Sequence, residues 1–448
     1  MHPESADVVV VGAGVAGLAA ARSLTKAGLR VVLLEASSLV GGRVRTLHVP
    51  DWALPIELGA EFVHGEPSTT TSFAEAHGLS LRELADVHAQ RKEGALVEMA
   101  EPWVRFAAAL GPAEELASSW SVQRYLERAS LSASEAELVR LLVEGFHAAP
   151  LDDVCAKVIA EDARKNQSSF RQYRVKGGYE RLVAKLEHDL AGAPVELLLG
   201  TRVRRVVWKP GLVSITATQG QETFTLRAAT CVFSVSIGVL QAEPAGGGIE
   251  FEPPLSERRA ALNKLAMGQV QKVLLRLKAL PPVAEERIAE LGADFFHDAD
   301  GDFPTVWLER DGQQAQITAW AGGPKAKRLS TFSPAELRAA ALQAVAKLFA
   351  IDAEALSRNL LDAYAHDFGR DPLFYGAYSY VRPEGTLAAR RLALPVANTL
   401  FFCGEALDLA YPGTVAGALG SGQHAARQVL AAATFAPTAH LGAELRSP

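Results

Sequence analysis

Three short groups of residues carry the clearest chemistry in this chain: Gly12-Ala13-Gly14-Val15-Ala16-Gly17, Glu35 and Gly41-Gly42-Arg43. The valine run Val8 to Val11 leads into the first group, and a second apolar run, Val31 to Leu34, ends on Glu35. In a strand-turn-helix corner of this kind the first glycine makes the tight turn. The second lets backbone approach a pyrophosphate, and the third lets helix pack on strand. The helix N-terminus then faces the phosphates, where its dipole favours negative charge. Glu35 lies about 20 residues downstream, where an acid accepts hydrogen bonds from ribose hydroxyls and repels a 2′-phosphate, which disfavours NADP. Such a glycine turn alone also occurs in corners that bind nothing; the strand before, the helix after and Glu35 favour the dinucleotide. Gly41-Gly42-Arg43 is a second glycine turn delivering a cation suited to a pyrophosphate, which points to FAD rather than NAD.

Lys272 is the other residue out of keeping with its surroundings, a lysine among Val270, Val273, Leu274 and Leu275. Burying its charge is costly without a partner, and an alternating strand with Lys272 facing solvent is the competing reading. No HExxH or GxSxG arrangement is present. Cys155, Cys231 and Cys403 are widely spaced and form no CxxC pair, which fits a reducing compartment and neither a disulfide framework nor a zinc site. Core packing is the preferred reading for all three.

The elements that must position these residues follow from pattern and composition. At 448 residues the chain is expected to hold two domains. Its 49% hydrophobic and 21% charged content is that of an ordinary globule, and a net charge of −6 argues against a nucleic-acid surface. No signal peptide, membrane-spanning stretch or anchor is visible, so a cytoplasmic location is expected. After the β-α-β start the pattern reads as helical from about Ser68 to Glu187. Ser132-Ala133-Ser134-Glu135 and Ser333-Pro334-Ala335-Glu336 have the form of capping boxes opening helices. Strands are predicted at Val195 to Leu199, Val203 to Val207, Val213 to Thr218, Thr230 to Phe233, Val270 to Leu277 and Ile317 to Trp320. A last strand, Thr399 to Cys403, leads to a helix at Val415 to Ala432. A strand-turn-helix at each end implies one domain built from separated segments.

Further blocks extend the pattern over nearly the whole chain: Glu57-Leu58-Gly59-Ala60-Glu61-Phe62-Val63-His64-Gly65, Lys176-Gly177-Gly178-Tyr179, Val235-Ser236-Ile237-Gly238-Val239-Leu240 and Phe251-Glu252-Pro253-Pro254-Leu255. Met267-Gly268 with Lys272-Val273, Asp371-Pro372, Gly376-Ala377-Tyr378-Ser379-Tyr380, Gly404-Glu405, Tyr411-Pro412-Gly413-Thr414-Val415 and Ser421-Gly422 continue it. In this order and spacing the chain resembles the flavin-containing amine oxidases, the group that includes monoamine oxidases, polyamine oxidases and flavin-dependent histone demethylases, in a soluble bacterial-type form. The resemblance implies an α/β and α+β fold. A discontinuous Rossmann-like FAD-binding domain would comprise 1–75, 178–246 and 385–436. A substrate domain with a mixed sheet and helices would comprise 76–177 and 247–384, and 437–448 would be a tail.

The same resemblance assigns expected roles. FAD would meet Gly12, Gly14, Ala16, Gly17, Glu35, Ala36, Gly41, Gly42 and Arg43, and its flavin end Gly59, Ala60, Glu61 and Phe62. Val203 would meet the adenine through backbone, and Gly404 and Glu405 the linker region. Thr414 and Val415 would aim the last helix's N-terminus at the flavin's pyrimidine edge, stabilising the reduced form. Lys272 stands where the family holds a water against flavin N5. Tyr378 would face the flavin and flank the amine, its alternative being an interface tyrosine. His64 matches a histidine near the flavin in polyamine oxidases, with a structural role as the alternative. Trp320, Phe296 and Tyr411 complete the expected substrate contacts, and Phe295, Phe296, Trp307 and Trp320 suggest an apolar wall, although aromatic residues on strands are more often core. Ala377 replaces the cysteine that bonds flavin in monoamine oxidases, so non-covalent FAD is expected. Thr414 replaces the second tyrosine of an aromatic pair, Phe368 a common tryptophan and Ala416 a frequent histidine.

The reaction so implied is oxidation of a small-molecule amine: hydride passes from the α-carbon to flavin N5, the imine hydrolyses, and dioxygen is reduced to hydrogen peroxide. No nucleic acid, membrane or metal partner is expected, and the oligomeric state is open. The segment 57–65 lacks the arginine with which L-amino-acid oxidases clamp a carboxylate, which favours an amine; Arg171, Arg174 and Arg382 keep the amino-acid alternative open. A polyamine would need acids along a tunnel, with Glu61, Asp294, Asp298 and Glu309 as candidates. Histone demethylation is set aside because no long helical insertion is present. An FAD-dependent desaturase, tailoring oxidase or cyclase, and a non-catalytic flavoprotein, stay as alternatives.

Overall fold

The computed structural model describes residues 2–65, 68–166, 171–312 and 314–435, so the expected tail 437–448 lies outside the described residues. Two large sheets organise the chain. The first has eight strands, in the order Val195–Leu198, Val31–Leu34, Ser5–Val11, Glu222–Phe233, Leu212–Gln219, Thr201–Lys209 and Glu250–Glu252, with Leu400–Phe402 also paired to Glu222–Phe233. Its centre is parallel: Val9 pairs with Val32 on one side and Cys231 on the other, and Cys231 with Leu400. Parallel strands covered on both faces read as continuous apolar runs, and Val8 to Val11 and Val31 to Leu34 are buried throughout. The C-terminal strand and helix thereby return to the N-terminal corner, with Phe233 paired to both Val11 and Phe402.

Small residues make the helical layer over this sheet possible. Helix Val15–Lys26 lies against the last helix, Val415–Phe435. A Cβ on Gly422 would stand 2.1 Å from the Ala16 carbonyl oxygen, and one on Gly17 would stand 1.9 Å from that of Gly12. Only glycine permits either approach.

The second sheet has seven strands in the order Leu360–Ala365, Val270–Leu277, Gln314–Gly322, Thr305–Asp311, Phe295–His297, His88–Lys92 and Ala95–Glu98. Alternation divides its two faces. Val273, Leu275 and Leu277 join Leu342, Val345 and Phe349 in a core under helix Pro334–Phe349. Leu274 packs the other way, with Trp52, Ile56 and Leu58. Lys272 shares the face of Leu274, two residues along the strand. Phe295 and Trp307 form a separate apolar cluster with Phe62 and Trp320 packed on it.

Both capping boxes are formed: Ser132 opens Ala133–Gly145 and Ser333 opens Pro334–Phe349, each side chain accepting from the backbone N–H three residues on. The long helical reading of 68–187 needs correction. Helices Thr69–Ala76, Pro102–Leu110, Ala133–Gly145, Ala156–Asn166 and Glu180–His188 occupy part of it, but Leu81–Glu83, His88–Lys92, Ala95–Glu98 and Gln172–Val175 are strands. Lys92 pairs with Ala95 around Glu93 and Gly94, whose φ values of 52° and 86° make a two-residue hairpin of the primed kind. Its second strand is largely exposed, so it lacks the apolar alternation that marks a strand. Glu250–Glu252 pairs with Thr201–Lys209 and so adds a strand to the first sheet from within 247–384. Cys155, Cys231 and Cys403 are free and buried.

Candidate active site

A cavity of about 420 Å³ runs from the N-terminal glycine corner to the face of the second sheet. At its first end Gly12, Gly14, Ala16, Glu35, Ala36, Gly41 and Gly42 line the wall. A Cβ on Gly14 would meet nothing within 4 Å, whereas one on Gly42 would come 3.3 Å from Gly14 Cα. This open strip of backbone is the surface a pyrophosphate needs. Gly17 does not line the cavity; it serves the helix-on-strand contact described above. Glu35 Oε2 accepts from the Ala13 N–H at 2.6 Å and Oε1 from the Ser37 N–H at 2.8 Å, which holds the carboxylate at the end of its strand. Burial raises its pKa against the pull of the Ser37, Ala13 and Ala36 N–H groups. Val203 lines the cavity near Glu35.

Arg43 and Glu405 meet in the middle. The guanidinium Nη1 donates to the Ala377 carbonyl at 2.8 Å and to Glu405 Oε1 at 2.9 Å. Glu405 Oε2 accepts from the Ser379 hydroxyl at 2.6 Å. Thr414 caps the last helix: its hydroxyl donates to the Tyr411 carbonyl at 2.7 Å and accepts from the Gly417 N–H at 3.0 Å. Thr414, Val415 and Gly404 all line the cavity, so the positive end of that helix faces it. The glycine cradle, ribose acid and helix terminus fit a flavin dinucleotide. Ala377 offers no nucleophile, and none of the three thiols lines the cavity.

The deepest charges lie at the second end. Lys272, 3% exposed, places Nζ 2.7 Å from Glu61 Oε2 and donates to the Gly59 carbonyl at 3.2 Å. Glu61 Oε1 accepts from Arg174 Nε at 3.0 Å and from the Trp307 indole at 2.9 Å, and Arg174 reaches Glu309 at 3.5 Å. Burial alone would raise the Glu61 pKa; the Lys272 ammonium and Arg174 guanidinium outweigh it and hold the carboxyl well below its usual range. Lys272 therefore belongs to a buried ion network and does not face solvent, which decides between the two sequence readings. Glu61 lines the cavity with Gly59, Ala60 and Phe62, and its carboxylate faces Lys272, Arg174 and Trp307.

Tyr378, Trp320, Tyr411, His64 and Phe62 line the same chamber, with Ala60 and Gly59 beside Lys272. The Tyr378 hydroxyl donates to the Phe146 carbonyl at 2.6 Å, which leaves the ring as a wall. Burial pushes the His64 imidazole down to about 4 against the pull of Asp86. Phe296 is a correction: it is fully buried on the opposite face, 5.0 Å from the Phe349 ring, and Phe295 lines the chamber in its place. A one-residue difference in a strand of period two turns a side chain to the other face. Sequence reasoning missed His88, Trp103, Phe146, His147, His297 and Thr305, which also line it. The hairpin and the helix ends that carry them have no motif; histidines at alternate-face positions 88 and 297 in short strands were the available signal. Glu57 was quoted only as part of a block, yet it accepts from Thr46 at 2.6 Å and from the Tyr179 N–H at 2.7 Å beside the network. Arg171 pairs with Glu83 at 2.7 Å and Arg382 with Asp153 at 2.9 Å.

A family model described as flavin containing amine oxidoreductase matches residues 15–430. A lysine-specific histone demethylase 1 homolog 2 from Oryza sativa subsp. japonica is 30% identical over 95% of this chain and 57% of its own length. Polyamine oxidase 2 of Arabidopsis thaliana is 28% identical over 95% of this chain and 88% of its own. The chain thus spans little more than half the length of the first curated relatives, 57% and 53%. Among solved structures, putrescine oxidase bound to putrescine superposes with a TM-score of 0.80 at 21% identity, covering 96% of this chain and 100% of that one. Cyclohexylamine oxidase from Brevibacterium oxydans IH-35A gives 0.79 at 20% identity, over 96% and 99%. These likenesses show a shared fold.

Proposed function

The chain belongs to the flavin-containing amine oxidoreductases, and from that premise we propose that it binds FAD non-covalently and oxidises a small-molecule amine at the α-carbon. When bound, the flavin supplies the acceptor for the two electrons of the α-carbon hydride and the route by which they reach dioxygen as hydrogen peroxide. The imine left behind takes up water and yields an aldehyde and ammonia or an amine. The single observation that carries this reading is Lys272, a buried ammonium held against Glu61 and the Gly59 carbonyl in the wall of an aromatic chamber.

The chain's own groups have distinct tasks in this reading. Lys272 Nζ is ion-paired with Glu61 and donates to the Gly59 carbonyl, and an ammonium with three N–H donors would have one to hold a water at the reaction centre. Tyr378, fixed by its bond to Phe146, and the neighbouring Phe62 and Trp307 rings exclude water and flank the amine. The capped helix N-terminus at Thr414 and Val415 stabilises negative charge as electrons arrive. Gly12, Gly14, Gly41, Gly42 and Glu35 hold the adenosine diphosphate half, and the Arg43–Glu405 pair positions the linker. The cofactor half would be drawn from 1–75, 178–246 and 385–436 and the substrate half from 76–177 and 247–384. Among the described residues the arginines lining the cavity are Arg43 and Arg202. Arg43 is paired with Glu405, and Arg202 donates to the Gly247 carbonyl at 3.0 Å. The chamber therefore favours an amine over an amino acid. The three unpaired thiols accord with a reducing, cytoplasmic setting. No described helix is long and apolar enough to cross a membrane.

Anaerobic mixing of the yellow protein with a panel of amines and matching amino acids tests the proposal. Bleaching of the flavin by amines, slowed roughly 10²-fold in Lys272→Met, is the expected result. A flavin that no amine bleaches, or a clear preference for amino acids, overturns it.

A further inference from the structure

One face of the second sheet floors the chamber, and strand pairing lays its residues out in order. Lys272 pairs with Trp320, Trp320 with Thr305, and Thr305 with His297 across four adjacent strands. With a spacing of about 4.8 Å per strand, Thr305 stands roughly 10 Å and His297 roughly 15 Å from Lys272. In the next row Trp307 pairs with Phe295, and Phe295 with His88. The two histidines thus lie together at the end remote from Lys272, with aromatic rings between.

These histidines are links in a directed string of hydrogen bonds. Thr305 Oγ1 lies 3.2 Å from His297 Nδ1, His297 Nε2 lies 2.9 Å from His88 Nδ1, and His88 Nε2 lies 3.0 Å from Asp86 Oδ1. Asp86 also accepts from the Trp103 indole at 3.0 Å and from Gln172 at 2.7 Å. An ionised carboxylate only accepts, so His88 carries a proton on Nε2, and in its neutral form it presents a lone pair at Nδ1. His297 must then donate from Nε2, and its Nδ1 takes the Thr305 hydroxyl proton. Burial, first of all, holds the His297 pKa well below the usual histidine value, which suits a ring that accepts at one nitrogen and donates at the other. With the imidazoles neutral, every polar hydrogen in the string runs toward Asp86. The lone pairs of Thr305 Oγ1 are what it offers to a ligand, and Thr305, His297 and His88 all line the cavity.

We propose that this string is a distal recognition device selecting amines with an apolar middle and a hydrogen-bond donor, a hydroxyl or a second amino group, at the far end, toward Thr305, which lies two strands and roughly 10 Å along the sheet from Lys272. The inference rests on the amine-oxidase reading above and narrows its substrate class. Trp320, Trp307 and Phe295 receive the apolar middle, and Thr305 receives the donor, with Asp86 as the negative end toward which the string is polarised.

The test compares kcat/KM for hexylamine, aminohexanol, its methyl ether and diaminohexane in the wild-type protein and in Thr305→Val, a near-isosteric change on a strand. A donor-bearing amine is expected to exceed hexylamine about tenfold in the wild type, the ether is not, and the ratio should fall toward one in Thr305→Val. Preference for aminohexanol identifies a neutral donor and preference for diaminohexane an ammonium; either supports the device. A wild-type ratio near one, or an ether equal to the alcohol, overturns it whatever the variant does. Calorimetric Kd values for analogues fully substituted at the α-carbon, with and without the distal hydroxyl, are read in parallel. If no amine is oxidised the amine-oxidase reading fails, while the calorimetry still decides distal recognition.

Discussion

Glu57 lies wholly under Thr46 and the Tyr179 N–H, and burial raises its carboxyl to about 7 against those hydrogen bonds and the nearby Lys272 ammonium. The folded protein therefore binds this proton more tightly than the unfolded chain, whose carboxyl titrates near 4.5. Between those two values the native state holds more protons, so stability is greatest below the window and falls as pH rises through it, by up to about 3 kcal/mol. Glu57→Gln is expected to flatten this slope and to raise Tm at pH about 8 relative to the parent, as read by thermal melts across the window. An unchanged slope would show that the carboxyl does not titrate there. Residue chemistry of this kind was only half legible in sequence. The identity of Lys272 among apolar neighbours flagged it, but alternation allowed either face. Glu61, Arg174 and Trp307 decide the matter, and they come from strands and turns far along the chain.

At the scale of elements, local rules that act within a few residues were readable. The glycine corner, both capping boxes and the strand Val270–Leu277 stand where pattern put them. The hairpin His88–Lys92 and Ala95–Glu98 was hidden because its residues are polar and its stability comes from pairing with Phe295–His297. Phe296 and Phe295 differ by a single step, and only pairing register tells which one faces the chamber. Helix-on-helix approach is another property of elements in contact. Gly422→Ala would drive a methyl into the Ala16 carbonyl, so it is expected to cost roughly 1–3 kcal/mol. A lowered melting temperature and weaker flavin retention on gel filtration are the measurements; a variant with parental stability would show that the two helices can separate without consequence.

Across the whole molecule, the cavity is closed by groups from both ends of the chain, with Arg43 held to Glu405 and the helix at Val415 lying on Val15–Lys26. A ligand spanning that seam stabilises the folded state by mass action, about 4 kcal/mol at a thousandfold excess over Kd. Stripping the flavin is therefore expected to lower Tm, and Glu405→Gln to shrink the difference between stripped and loaded protein. Equal melting temperatures for the two forms would place the ligand elsewhere. The sequence by itself determined the nucleotide-binding corner, the separated segments and the flavin-amine-oxidase resemblance, because each is written in short motifs whose physics acts over a few residues. Tertiary structure alone decided that Lys272 is paired inside, that Phe295 rather than Phe296 lines the chamber, and that Asp86, His88, His297 and Thr305 form a string. Those depend on strand register and on contacts between residues up to some two hundred apart, which no local pattern encodes.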